Sequence, residues 1–407
     1  MSSPSASSLP AVALAPAHDR RLSTTAAFYL LASLMLSFLA GSSAPTPLYP
    51  IYQAAWRFSP ITTTVVFGVY AVAVLIALLT VGALSDYVGR RPVLLVAALT
   101  QAVTMLLFAE AGSVTALVVA RILQGLATGG AAAAVGAGLL DFDRARGATA
   151  NAVAPLLGTA TGGIVSGLMV QYLPAPTHLV YLTLAAVFVA QAVGVALLPG
   201  PAVRRPGALA SLRPQLRLPA QARGAFLIAV PALVASWSVP GFFGSLGPSL
   251  LRLLSGSKAL ALGGLALFSL AASGALTVLL LQRRGPRALM LAGTALLIVG
   301  LAVTLAAVSH SALGAFFVGT TLTGAGFGAS FQGAIRMVVP LAQPHQRAGL
   351  LAVLYVVCYL AMGLPAVVAG LRVVYGGGLL ATTHEYGIAV IILAAAALAG
   401  TLVRRPR

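Results

Sequence analysis

Long apolar stretches separated by short polar turns constrain the fold of this chain more than any other feature of its sequence. Residues 61–81 and 93–109 contain no charged residue, and each stretch is close to the roughly 20 residues that a helix needs to cross a bilayer. The segment between them, Gly82-Ala-Leu-Ser-Asp86-Tyr-Val-Gly89-Arg90-Arg91-Pro92, leaves room only for a tight turn. Because backbone polar groups in hydrocarbon must be satisfied within the segment, the pattern predicts a helical hairpin in a membrane.

The composition extends this prediction to the whole chain. Of the 407 residues, 59% are hydrophobic and 7% are charged, which excludes a soluble domain with a charged surface. The net charge of +18 raises the question of nucleic acid, but no basic run alternates with stacking aromatic residues. We therefore expect no nucleic-acid partner. Cys358 is the single cysteine, so the sequence excludes disulfides and cysteine-based metal sites.

Apolar periodicity predicts twelve membrane spans, each a helix, with proline-rich or charged connections between them. The predicted spans are 25–43, 61–81, 92–110, 114–140, 148–172, 178–198, 224–251, 258–281, 287–309, 312–340, 348–374 and 385–403.

The longest polar connection, which is rich in arginine, divides these spans into two sets of six. The predicted organisation is a cytoplasmic disordered tail at 1–24 without a secretory signal pattern, an N-terminal six-helix bundle at 25–198, a basic cytoplasmic linker at 199–223, a C-terminal six-helix bundle at 224–403 and a cytoplasmic tail at 404–407.

The distribution of cations predicts the orientation. Of the 24 Lys and Arg residues, 18 lie in the tails and in the loops that follow even-numbered spans, four lie on the opposite side, and Arg121 and Arg336 lie inside spans. Positively charged loops stay in the cytoplasm. The sequence thus predicts a multi-pass protein of a bacterial-type plasma (inner) membrane with both termini in the cytoplasm.

Two features resemble the major facilitator superfamily of transporters. The turn containing Gly82, Asp86, Gly89, Arg90 and Arg91 resembles the loop that this family carries after its second membrane helix. A glycine pair of the fourth span, Gly125 and Gly129, recurs at the same spacing in the tenth span as Gly324 and Gly328. The resemblance implies an all-α membrane fold of twelve transmembrane helices in two pseudo-symmetric six-helix bundles, and a transporter rather than an enzyme.

The resemblance also implies a gating loop. In the family, the matching aspartate caps the N-terminus of the eleventh span and pairs with a nearby arginine when the cytoplasmic side is shut. Here that terminus begins near Arg347-Ala-Gly349, and a carboxylate is favourable at such a helix end. The gating residues are then Gly82, Asp86, Gly89, Arg90 and Arg91. The alternative is that the arginines only set the topology.

A polar face on the fourth span is the first candidate for the solute cavity. Arg121, Gln124 and Thr128 share one face of the helix, and an arginine inside a span normally faces a wet cavity or a partner. The segment resembles the family's Arg-x-x-Gln-Gly motif, whose arginine has been linked to proton coupling. The alternative is that Arg121 extends to the membrane interface.

The tenth span offers a matching face. Thr320, Thr323 and Phe327 take the equivalent positions, and Trp237 of the seventh span is expected to line the same cavity. Such an apolar and aromatic lining suits hydrophobic or amphipathic solutes better than sugars or dicarboxylates.

Small residues recur every four positions along the fifth span, a pattern that permits close helix packing. This segment partly resembles the family's antiporter motif, but Thr159 stands where the motif has proline and the nearest proline is Pro155. The predicted packing residues are Gly125, Ala154, Pro155, Gly158, Gly162 and Gly163.

No carboxylate or histidine is predicted in the middle of a span, so proton coupling has no obvious carrier. The sequence therefore predicts a secondary transporter that exports small hydrophobic or amphipathic compounds by alternating access, with the proton gradient as its one conceivable cofactor and no metal. The alternative is an uncoupled facilitator or importer of a small organic solute. The expected partners are this small-molecule substrate and the lipid bilayer, and the protein is expected to act as a monomer.

Overall fold

A computed structural model describes residues 22–199, 205–256 and 259–403. Residues 1–21 of the predicted tail 1–24, residues 200–204 of the predicted linker 199–223, Lys258 and the predicted tail 404–407 lie outside the described residues. Within them, the chain forms twelve long helices, numbered here in chain order: α1 (Thr24–Ser43), α2 (Pro60–Thr80), α3 (Arg90–Ala109), α4 (Val114–Phe142), α5 (Arg144–Tyr172), α6 (Pro176–Ala196), α7 (Ala220–Ser245), α8 (Ala261–Leu280), α9 (Pro286–Ser309), α10 (Leu313–Val338), α11 (Arg347–Tyr375) and α12 (Gly378–Val403).

These helices confirm the predicted all-α membrane fold. Eleven helical segments of the described residues are long and apolar enough to cross a membrane. α10 is the long helix outside that set, because its many Gly and Thr residues make it less apolar. It nevertheless packs inside the bundle against α8 and α9. The chain is therefore a multi-pass membrane protein.

Two predicted spans differ from the structure by more than four residues at one end. The seventh was predicted at 224–251, but α7 ends at Ser245 and a separate short helix, Gly247–Ser255, follows. Pro248 occupies the first turn of that helix, a position where proline favours a new start. The twelfth was predicted from residue 385, but α12 begins at Gly378, so Glu385 lies inside the helix.

The connections define two ends of the bundle. The Asp86 end carries the turn after α2, with its short helix Ser85–Val88, and the linker before α7. The Tyr49 end carries the 3₁₀ turn Thr46–Leu48 and the short helix Tyr49–Trp56 that follow α1. The predicted orientation puts the Asp86 end in the cytoplasm.

The glycine repeat noticed in the sequence has a structural counterpart. Gly125 and Gly129 of α4 pack against the backbone of α2, where a Cβ at Gly125 would lie 2.7 Å from the Tyr70 carbonyl oxygen. Gly324 and Gly328 of α10 pack in the same way against α8. Since α8 occupies in the second half the place of α2 in the first, the two six-helix sets repeat one packing arrangement.

Two helix pairs make the largest contacts between the halves, namely α2 with α11 and α5 with α8. Both seams use glycine for close approach. Gly163 of α5 faces Gly264 and Leu267 of α8, and Gly68 of α2 faces Val367 of α11. Without a hydrophobic effect between helices in lipid, such small residues allow the van der Waals contact that holds helices together.

Candidate functional site

The turn after α2 has the backbone that its sequence requires. Gly89 adopts φ 88° immediately before α3 begins at Arg90, and a positive φ of this kind favours glycine. A side chain at position 82 would collide with its own backbone, because a Cβ at Gly82 would lie against the Leu78 carbonyl oxygen of the preceding helical turn.

The charges of this turn are distributed in an unexpected way. Arg90 pairs with Asp141 at the end of α4, whereas Arg91 is exposed. The Asp86 side chain is exposed and has no ion pair or hydrogen bond within the described residues. In this conformation the expected contact between Asp86 and the N-terminus of α11 is therefore not made.

The linker between α6 and α7 instead contacts both the turn after α2 and the start of α11. The Arg205 amide donates a hydrogen bond to the Tyr87 carbonyl oxygen at 2.8 Å, and the Arg217 amide donates to the Gly349 carbonyl oxygen at 3.3 Å. The described part of the linker thus runs from the turn after α2 to the first turn of α11.

Arg121 is fully buried, with 0% of its surface exposed. Its Nη1 donates hydrogen bonds to the Ser42 carbonyl oxygen at 2.8 Å and to Gln124 Oε1 at 2.6 Å. Its Nε donates to the Tyr49 hydroxyl at 3.1 Å, and Nη2 donates to the same oxygen. No carboxylate of the described residues pairs with it. Buried cations are normally paired with acids. Here neutral oxygens take the place of the carboxylate and accept the hydrogen bonds of the guanidinium.

Gln124 extends this arrangement, which we name the Arg121 network (Arg121, Gln124, Tyr49 and the carbonyls of Gly41 and Ser42). Gln124 Nε2 donates to the Gly41 carbonyl oxygen at 2.9 Å. The network ties α4 to the end of α1, on the side of the Tyr49 end. Thr128, on the same face of α4, is buried and lies outside the network.

Three aromatic rings surround the guanidinium. The Arg121 Cζ lies 5.3 Å from the centroid of the Tyr70 ring, 5.7 Å from that of Tyr49 and 5.8 Å from that of Phe108. These distances are within the range of cation–π attraction, which is strongest where water is excluded. Neither Tyr49 nor Tyr70 was singled out in the sequence. A tyrosine in the middle of an otherwise apolar span was the signal that could have identified Tyr70.

Trp237 of α7 is the centre of an aromatic cluster (Trp237, Phe327, Phe331 and Tyr359). Its ring centroid lies 6.2 Å from Phe327, 5.4 Å from Phe331 and 5.2 Å from Tyr359. Trp237, Phe331 and Tyr359 are partly exposed. The Trp237 Nε1 donor has no hydrogen-bond partner within the described residues. The cluster joins α7, α10 and α11.

The two threonines of α10 have a different environment from that of Phe327. Both are fully buried. The Thr320 hydroxyl donates to the Phe316 carbonyl oxygen and the Thr323 hydroxyl to the Gly319 carbonyl oxygen, each at 2.8 Å. Such bonds to the preceding turn are common for threonine in helices. Of the residues predicted on this face, only Phe327 joins the aromatic cluster.

Tyr70 connects the two regions across the seam between the halves. It belongs to a buried group with Phe67 and Met362, against which Trp237 and Tyr359 pack. The Tyr70 ring also contacts the guanidinium of Arg121. The structure thus brings the Arg121 network and the aromatic cluster together through one tyrosine.

The predicted packing residues of α5 contact two different helices. Gly158 and Gly162 pack against α1, whereas Gly163 packs against α8 of the other half. Adjacent glycines therefore give α5 close neighbours on both sides. Ala154 is buried. Pro155 lies inside the helix, and its carbonyl oxygen accepts a hydrogen bond from the Thr159 hydroxyl at 3.0 Å.

Two further acids, Glu385 and Asp143, lie near the bundle ends. Glu385 of α12 accepts hydrogen bonds from Arg372 of α11 at 2.9 and 2.6 Å, and Asp143 accepts two backbone hydrogen bonds at the start of α5. The described residues contain no group of three His, Cys, Asp or Glu side chains that could hold a metal ion.

Solved structures of transporters share this fold. Two solved structures have the same fold over 93% of this chain. The nucleoside transporter NupG is 14% identical, with a TM-score of 0.67 over 98% of its chain. A bacterial homologue of the human lysosomal transporter Spinster, inward-facing and unoccupied, is 13% identical, with a TM-score of 0.74 over 97% of its chain. A search of curated proteins finds no significant match.

Sequence evidence agrees with the fold. The family model of the Major Facilitator Superfamily matches residues 30–283, which is more than half of the chain. The match includes the turn after α2, the Arg121 network and Trp237. This chain therefore belongs to the major facilitator superfamily, a family of membrane transporters.

Proposed function

We propose that this transporter exports small hydrophobic or amphipathic organic compounds, and that the aromatic cluster contacts them. One observation carries the proposal: the partly exposed rings around Trp237 surround an indole N–H that has no partner within the described residues. Buried polar groups are normally hydrogen-bonded, so this donor suits a ligand with a single acceptor. The surrounding rings suit a flat apolar surface.

The polar groups nearby give little support for a strongly hydrophilic solute. Thr320 and Thr323 already donate to their own helix, and the Arg121 guanidinium is occupied by Tyr49, Gln124 and the Ser42 carbonyl. A sugar would leave many hydroxyl groups without partners in this environment, and each unpaired buried group costs about 1–3 kcal/mol.

Alternating access gives the cluster its function. It adjoins the α2–α11 seam through Met362 and Tyr70, so a rocking motion of the halves would change its access to either side. At the Tyr49 end the halves already touch, since the Thr46 hydroxyl donates to the Gly244 carbonyl oxygen at 3.2 Å. We propose that this conformation is closed at the Tyr49 end, with the Asp86 contact released.

A second candidate is an uncoupled facilitator. It is favoured by the absence of a carboxylate from the hydrogen bonds of Arg121 among the described residues. Proton-driven export needs a group that gains and loses a proton during the cycle, and an arginine always stays charged.

Transport by inside-out vesicles separates these functions. Vesicles containing the protein are given fluorescent planar amphipathic dyes, or a nucleoside as a polar comparison, with and without an imposed pH gradient. Export predicts dye accumulation that dissipates the gradient. Exchange of labelled for unlabelled dye without any gradient would identify a facilitator, and transport of the nucleoside alone would contradict the proposed substrate class.

A tryptophan pair provides the matched control. Trp237→Ala removes the ring and the N–H donor that we propose contact the dye; one aromatic contact and one hydrogen bond are each worth about 0.5–1.5 kcal/mol, so the apparent KM for the dye should rise about tenfold. Trp56→Ala changes the chain's other tryptophan, which stacks on Tyr52 at the Tyr49 end, and should leave the KM unchanged. Equal effects of both substitutions would remove the aromatic cluster from substrate binding.

A further inference from the structure

A cavity of about 550 Å³ lies between α7, α11 and α12, and no residue of the aromatic cluster lines it. Its volume is within the range of roughly 300–1,000 Å³ that is typical of pockets for drug-sized ligands. Most of its lining is aliphatic, including Leu364 and Val368 of α11 and Leu393 of α12. Leu364 and Val368 are both 57% exposed on the outside of the bundle. The cavity therefore opens toward the lipid.

The packing of the helices explains why this space exists. α11 and α12 both pack on α7, but each contacts α7 more extensively than it contacts the other. That turn contains Gly377 and Gly378 with φ of 125° and 84°. Tyr386 of α12 donates a hydrogen bond to the Ser238 carbonyl oxygen at 2.7 Å, which holds α12 to α7 beneath the cavity.

The charged residues that line the cavity lie at one of its ends. Arg372 is in the last turn of α11. Glu385 faces it from about two turns into α12. Arg372 Nε and Nη2 donate to the two carboxylate oxygens of Glu385 at 2.9 and 2.6 Å. The two side chains remain about half exposed, at 49% and 50%. An apolar trough thus ends in one positive and one negative group, both accessible.

We propose that this cavity binds a membrane phospholipid with an ethanolamine headgroup. One acyl chain would lie in the apolar trough. The lipid phosphate would accept hydrogen bonds from the free Nη1 side of Arg372, and the primary ammonium would donate to Glu385. Charge-assisted hydrogen bonds of both kinds are the strong ones. A choline headgroup lacks N–H donors for Glu385, and a glycerol headgroup lacks the cation.

Location supports a lipid as the occupant. Arg372 and Glu385 lie near the Tyr49 end of two membrane helices, which is where the headgroups of one leaflet meet the protein. The remaining trough runs from there along α11 and α12 into the depth of the hydrocarbon. The proposal does not depend on the substrate of the transporter.

Native mass spectrometry of the full-length, delipidated protein tests the proposal. The protein is titrated with phosphatidylethanolamine, phosphatidylcholine or phosphatidylglycerol of identical acyl chains. We expect phosphatidylethanolamine to bind about fivefold more tightly than the other two, the scale of one accessible ion pair. Glu385→Gln should abolish that preference, and Arg372→Gln should weaken the binding of all three lipids.

Variants that fill the trough locate the bound lipid. Ala389→Phe and Val368→Phe place a ring in the cavity from opposite walls, and each should remove the tight binding. Ile388→Phe is the matched control, because Ile388 is 51% exposed on α12 and does not line the cavity. Val368 and Ala389 are both exposed, so the fold should tolerate a larger side chain at either position. Elution of each variant as a single species on gel filtration checks this.

Three results would overturn the proposal. Equal binding of the three lipids would leave no headgroup recognition, and tighter binding of phosphatidylglycerol would assign the site to an anionic ligand. Unchanged lipid binding in both filling variants would place the lipid elsewhere. If these variants instead lost binding of a transported dye while retaining lipid, the cavity would be a substrate site.

Discussion

The guanidinium carbon of Arg121 lies 5.3 Å from the centroid of the Tyr70 ring. The same tyrosine is buried against Met362 of the opposite half, in a group on which Trp237 and Tyr359 pack. A movement of α2 relative to α11 must therefore change the contact of Tyr70 with either Arg121 or the aromatic cluster. If the aromatic cluster binds substrate as proposed, Tyr70 links the Arg121 network to the binding site.

Substitutions of Tyr70 should separate its ring from its hydroxyl. Tyr70→Phe keeps the ring over Arg121 and should retain most of the transport rate. Tyr70→Leu removes a cation–π contact worth up to about 2 kcal/mol where water is excluded, so the turnover rate should fall by up to about thirtyfold. Transport rates of both variants in proteoliposomes provide the measurement. A normal rate for Tyr70→Leu would mean that the contact has no function in transport.

Sequence patterns predicted the long helices and the helix faces, but not the neighbours of those faces. The spacing of Thr320, Thr323 and Phe327 places them on one side of α10, yet Thr323 packs against Gly300 of α9 while Phe327 reaches Trp237. Helical periodicity gives direction around one axis. Which helix lies in that direction depends on tertiary packing, to which residues distant in sequence contribute.

Arg121 illustrates the same limit. Its cost in a membrane predicted that it must have partners, but the candidates considered were a wet cavity and the interface. The partners are instead the Tyr49 hydroxyl, the Ser42 carbonyl oxygen of α1 and Gln124. Tyr49 lies in a segment interrupted by Pro45, Pro47 and Pro50, where periodicity gives no guidance on which side chains point inward.

The fork of hydrogen bonds from Arg121 predicts that lysine cannot replace it. Arg121→Lys keeps the charge but loses the planar set of donors that reaches Tyr49, Gln124 and Ser42 together. We expect transport near background and a lower unfolding temperature. Each hydrogen bond lost from the charged group costs about 1.5–3 kcal/mol.

Two controls make the Arg121 experiment specific. Tyr49→Phe removes one acceptor and should have a smaller effect in the same direction. Arg336→Lys changes the other arginine inside a span, which donates to the Gln282 carbonyl oxygen near the end of α8, and should be tolerated. Wild-type transport by Arg121→Lys would show that only its charge matters.

Asp86 should affect the rate of transport but not substrate binding. If Asp86 caps α11 only when the Asp86 end is closed, Asp86→Asn weakens that state by about 0.3–1 kcal/mol, the scale of a charge at a helix terminus. Turnover should fall severalfold while the dissociation constant of a dye, measured by fluorescence, stays unchanged. Asp141→Asn, which breaks the Arg90 pair within one half, is the comparison. Equal effects of the two substitutions would make Asp86 a structural charge only.

The glycine seam between α5 and α8 predicts a steric effect on the approach of the two halves. A Cβ at Gly264 would collide with the Gly163 carbonyl oxygen, and overpacking of this kind typically costs about 1–3 kcal/mol. Gly264→Ala should therefore lower both the unfolding temperature in detergent and the transport rate. Gly314→Ala in the first turn of α10 is the matched control, since nothing lies within 4 Å of a Cβ there. Because alanine is the better helix former, Gly314→Ala should be neutral or slightly stabilising. If Gly264→Ala behaved like this control, the seam would have room to spare and would not limit how closely the halves pack.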